Sequence, residues 1–144
     1  MLAFKKPDML FAFWFSFTFV YLGGFIAIVA LVSPGIDEFF STTENHVFAG
    51  IKIIYVRLPL LITLLTVFPI LLFKSVTKAL WFMRYATAIA VFFYIDDHLV
   101  LYEIIGFLER ATVKLAIFLR PIIIMAMLWM TFELHFKAKV GNTQ

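Results

Sequence analysis

Two arginines interrupt long apolar runs, where a fixed charge is costly and therefore informative. Arg57 lies in IIYVRLPLL and Arg120 in AIFLRPIII, each with a lysine upstream (Lys52, Lys114) and a proline just after it (Pro59, Pro121). An Arg at the centre of a membrane helix costs about 2.5–3.5 kcal/mol on insertion scales, so it is expected to face a bundle interior, a water-filled cavity or a partner. There it can hold an anion or a polar headgroup, line a pore, or snorkel toward a helix end. Counting about 1.5 Å per residue places Arg57 and Arg120 near mid-membrane. The carboxylates all fall in the outer loops or at the inner ends, so none is expected at that depth. The expected partners are a carbonyl freed by Pro59 or Pro121, water, a bound anion, another subunit, or Asp96, Asp97 or Glu103 reached from below. Lys52, Arg57, Lys114 and Arg120 are therefore the candidate anion-binding residues.

A second constellation sits at the outer surface. His46 opens one apolar segment and His98 closes the next, at similar height, with Glu44, Asp96, Asp97 and Glu103 close in sequence. Imidazole and carboxylate together can hold zinc, iron or copper. Two imidazoles on facing helices can instead ligate a b-type haem. Neighbours in sequence point in different directions on a helix, so Asp96-Asp97-His98 supplies one or two ligands at most. His46, His98, Asp97 and Glu44 are the candidate metal or haem ligands; the competing reading is a set of solvated interface residues. The chain has no Cys, which excludes thiol catalysis, disulfides, iron–sulfur clusters and Cys-held zinc.

The elements that would carry these residues are four apolar segments, at about 9–32, 46–73, 79–98 and 111–132. A helix needs about 20 mostly apolar residues to cross a hydrocarbon core about 30 Å thick. Of 144 residues 64% are hydrophobic and 15% charged, with a mean hydropathy of +1.03. Soluble domains carry about 25% charged residues. The composition thus predicts a single all-α integral membrane domain of four transmembrane helices, with the lipid bilayer as its principal partner. Lys5, Lys6, Lys74, Lys78, Arg84, Lys137 and Lys139 cluster where alternating segment ends meet one side, for a net charge of +5 there against −2 elsewhere. Short basic loops stay in the cytoplasm, so both termini are expected inside, in a bacterial inner (plasma) membrane. The net charge of +3 then reflects anionic lipid headgroups rather than nucleic acid. The first apolar run is longer than the core of a signal peptide, and no small-x-small site precedes the acidic loop; it is expected to remain as a span.

Finer features follow. Phe11, Phe13, Phe15, Phe17 and Phe19 alternate with other residues, a strand-like period. An isolated strand in lipid leaves its backbone unsatisfied, so a helix is expected, with phenylalanines all round for lipid or subunit contact. Gly23 and Gly24 offer a close approach to another helix. Ser41 and Glu44 have capping-box spacing at the start of the second helix. Residues 99–108 are too short to cross and predict an interfacial helix. Trp81, Arg84, Trp129 and His135 read as interfacial anchors. Each half holds an acidic turn and then a returning helix with Lys, Arg and Pro, consistent with a parallel repeat of a two-helix hairpin.

The stretch from Tyr21-Leu22-Gly23-Gly24 to Ser33-Pro34 resembles copper-resistance and haem-biosynthesis four-helix families. Those carry a buried His in the first span; this chain has none there, so no site is carried over. Two principal functions stay open. One is an oligomeric channel or transporter-like protein handling an anion or polar headgroup near the intramembrane arginines. The other is a haem- or quinone-binding anchor or accessory subunit of a larger respiratory or redox complex. A scaffold subunit docking through its Phe-rich first helix is a third possibility. An enzyme acting alone is disfavoured, because no nucleophile–base pair can be assembled at one depth.

Overall fold

A computed structural model describes residues 7–32, 51–101 and 111–141, and these are helical almost throughout. Helix α1 is Phe11–Leu31. Helix α2 is Lys52–Lys74, π-helical over Lys52–Arg57 and α-helical over Leu58–Lys74. Helix α3 is Val76–Asp96, prolonged by a π-helical turn, Asp97–Leu101. Helix α4 is Ala111–Gly141. All four are long and apolar enough to cross a membrane, over Phe11–Val29, Lys52–Lys74, Val76–Leu99 and Phe118–Val140. Much of the outward surface is large and apolar, with Phe11, Phe15, Tyr55, Phe92, Phe118 and Met125 each more than 60% exposed. A soluble monomer rarely presents so continuous an apolar exterior, whereas lipid requires one. The protein is an integral membrane helical bundle.

The helices form a ring in which α1 packs on α2 and α4, and α3 on α2 and α4. Every neighbouring pair is antiparallel. Along α1 and α2, Phe17 meets Phe68, Tyr21 Oη donates to the Leu65 carbonyl at 2.8 Å, and Gly24 faces Leu61. Between α3 and α4, Arg84 meets His135 and Thr87 meets Thr131. The turn between α2 and α3 is reduced to Ser75, whose extended backbone breaks the helix and whose Oγ accepts from the Lys78 N–H at 3.5 Å. A polar N-cap of this kind satisfies one of the orphan donors of a new helix.

Packing is concentrated at one end, the basal end, which holds Asp8, Ser75 and Lys137. There Phe13, Phe68, Leu72, Met83, Met130 and Leu134 are almost fully buried. Lipid tails are as apolar as these side chains, so their contribution is contact and fit more than escape from water. The phenylalanines of α1 divide by helical spacing rather than covering all sides. Phe13 and Phe17 turn inward, Phe17 stacking on Tyr21 with ring centroids 4.3 Å apart, while Phe11 and Phe15 face out. The glycine pair does serve close approach, toward two partners. A Cβ on Gly24 would lie 3.1 Å from Leu65 of α2, and one on Gly23 2.9 Å from Ile123 of α4.

Helix α4 does not stop at the expected 132. Glu133 is buried, and its Oε1 accepts the Leu10 N–H at 2.5 Å, where α1 begins. The carboxylate there meets an unsatisfied donor and the positive end of the α1 dipole, so the charge is absorbed by the bundle. Helix α3 likewise runs on through residues 99–101, where an interfacial helix was expected to start; residues 102–108 lie outside the described residues. The capping box at Ser41 and Glu44 also lies outside them.

Candidate functional site: a charged junction of three helices

At the end opposite Ser75, the distal end, three helices bring five ionisable side chains together. The centre is Asp97, on the first residue of the π-helical prolongation of α3 and fully buried. Its Oδ1 pairs with Arg57 Nη1 from α2, and its Oδ2 with Arg120 Nη1 from α4. Asp96, the residue before it and the last of the α-helical part of α3, takes Arg57 Nη2 at 3.2 Å and Lys52 Nζ at 3.3 Å. The Arg57 guanidinium also lies over the Phe93 ring, 4.9 Å from its centroid. The aromatic face covers a cation whose side chain is only 12% exposed.

Local backbone geometry serves this junction. Lys52 and Arg57 bound the π-helical stretch of α2, and Asp97 begins that of α3. In a π turn each N–H reaches back five residues, as the Leu58 N–H does to the Ile53 carbonyl. The wider turn changes side-chain azimuth, and such turns concentrate at functional sites. In α2 the π turn ends just before Pro59, which has no N–H and cannot continue an ordinary ladder. In α3 it lets adjacent residues share the work: Asp96 takes Lys52 and Arg57 of α2, and Asp97 reaches both α2 and α4.

One sequence expectation is corrected here. A carboxylate does lie at the level of the arginines, because α3 continues through Leu99-Val100-Leu101 past its acidic pair and places Asp96 and Asp97 against Arg57 and Arg120.

Of the candidate anion-binding residues, Lys52, Arg57 and Arg120 meet at this junction. Lys114 is on α4 beyond Arg120, outside the described side chains. Of the candidate metal or haem ligands, Asp97 is engaged by two arginines. His98 is exposed, and its Nδ1 hydrogen-bonds the Tyr94 carbonyl of its own helix at 2.9 Å. His46 and Glu44 lie outside the described residues, as does Glu103. Among the described residues no three His, Asp or Glu side chains group as a metal site would require. Asp96 and Asp97 stood among the partners that the sequence offered the two arginines, and both are engaged. Sequence reasoning missed Phe93 beneath Arg57, because an aromatic four residues before Asp97 carries no signal of its own.

The chemistry of the junction is that of an anion held by two guanidinium groups. Each Asp97 oxygen takes one charge-assisted contact from a different helix, and small oxyanions offer guanidinium groups the same kind of acceptor oxygens. Comparison with protein-family models, with curated protein sequences and with solved structures finds no match.

Proposed function

We propose that the protein is an oligomeric channel or transporter-like protein that handles an anion or a polar headgroup at the Arg57–Asp97–Arg120 junction. The supporting observation is the shared carboxylate: two arginines from different helices converge on one buried Asp. In this reading Asp97 is the internal counter-ion, and a passing anion takes its place between Arg57 and Arg120. The exchange keeps both guanidinium groups paired, so their desolvation is never left uncompensated. The π turns at Lys52–Arg57 and Asp97–Leu101 let α2 and α3 shift locally as partners are exchanged. Both termini are cytoplasmic, following the basic basal loops, and the junction faces the outer leaflet of a bacterial inner membrane. Oligomerisation follows from size, since four helices enclose little interior volume.

The test is anion efflux from proteoliposomes. Replacing Arg57 or Arg120 by Leu leaves Asp97 one remaining arginine, so the bundle should fold while flux is lost. Flux unchanged in both variants would refute the reading.

A further inference from the structure

A second polar feature lies at the basal end, on the outer face of α3 and α4. Here Met125, Leu128, Trp129, Thr131, Phe132 and His135 of α4 line an open groove of about 550 Å³ that ends at Arg84 of α3. Arg84 Nη2 sits 3.0 Å from His135 Nδ1, and its guanidinium lies 4.9 Å from the centroid of the Trp81 ring. No carboxylate pairs with Arg84 among the described residues. Glu133 is turned to the other side of α4, toward Leu10 of α1.

We propose that this groove binds one anionic phospholipid, with the phosphate on Arg84 and His135 and an acyl chain along α4. Charge and polarity argue for that occupant. The groove wall is apolar, and its only fixed charge is a cation at one end. That cation is also set at the level where headgroups lie: Lys78, Trp81 and Lys137 share the basal end, and indole rings collect at the interface. Length agrees as well. Met125 to His135 spans about 15 Å of helix at about 1.5 Å per residue, which is one leaflet of a core about 30 Å thick. A second protein helix would need a longer apolar seam and would leave Arg84 facing apolar side chains. Basic pockets between helices on the cytoplasmic side are a recognised mode of anionic lipid binding. The Trp81 ring holds the guanidinium from one side and leaves its other donors to the phosphate.

The test is lipid retention by the full chain in mild detergent, read by native mass spectrometry with equimolar phosphatidylglycerol and phosphatidylcholine of matched chains. The expected result is a phosphatidylglycerol adduct favoured at least fivefold, with the preference reduced about fivefold in Arg84→Gln. His135→Gln should reduce it less. Lys74→Gln, an exposed basic residue at the same end but away from the groove, should leave it unchanged. If Arg84→Gln fails to fold, competition on the unaltered protein decides: inorganic phosphate at millimolar concentration should not displace the lipid, because it lacks the acyl chain. Equal retention of both lipids, equal loss in Lys74→Gln and Arg84→Gln, or displacement by phosphate alone would each overturn the proposal.

Discussion

The two ends of this bundle are held together by different physics. At the basal end Phe13, Phe68, Leu72, Met83, Met130 and Leu134 interlock, and the one buried charge among the residues described there, Glu133, is spent on a helix start. At the distal end the described residues include no comparable apolar cluster, and Lys52, Arg57, Asp96, Asp97 and Arg120 join three helices through ion pairs. Packing in lipid is short-ranged, indifferent to salt and hard to rearrange. Ion pairing among buried groups is stronger per contact but exchangeable, because one anion can replace another. A rigid end and an exchangeable end on the same four helices would suit the anion site proposed above.

The largest expected effect breaks the distal end. Asp97→Ala removes the shared carboxylate and leaves two arginines facing each other, at a cost of about 3–5 kcal/mol. The concerted variant Asp97→Asn, Arg57→Gln, Arg120→Gln removes charge on all sides and should recover most of that loss. Thermal unfolding in detergent compares the two; equal losses would mean that the charges are not acting as one network.

Next in size is the basal end. Phe68→Ala empties a fully buried position and should cost about 3 kcal/mol, with no dependence on the anion present. An anion-dependent loss there would erase the distinction between the two ends. Gly24→Leu drives a side chain into Leu61 and Leu65 and should cost about 2 kcal/mol by overpacking, again without anion dependence. The smallest effect should come from Lys137→Ala. Its partner Asp8 is fully exposed, so the unfolding midpoint should not move measurably.

How much of this was legible in the sequence depends on what each signal encodes. Four spans and the membrane class follow from composition and from the length of the apolar runs, which report directly on a bilayer's thickness. The inward turn of Phe13 and Phe17 was not legible, because a period-two aromatic run has no face until neighbouring helices choose one. Arg57 and Arg120 stood out because a charge in an apolar run needs a reason. The level of their carboxylate partners was misjudged by treating charge as the end of a span: Glu133 and Asp96-Asp97 were placed at boundaries, and all three lie within helices. Asp97 was named both as a metal ligand and as an arginine partner, since its type suits either, and it is the approach of α2 and α4 that sets two arginines on it. Arg84 and His135 were legible as anchors, but the groove beneath them depends on the crossing of α3 and α4.

The most direct measurement of the central claim is the thermal midpoint of Asp97→Asn in detergent, at constant ionic strength, with nitrate or chloride exchanged for bulky gluconate. With the internal carboxylate gone, a small anion should bind between Arg57 and Arg120. The midpoint should then rise with its concentration, by the equivalent of about 2.7 kcal/mol at a hundredfold excess over the dissociation constant. The unaltered protein, with Asp97 in place, should respond much less. Identical anion responses in the two proteins, or none in either, would show that Asp97 is not standing where an anion binds.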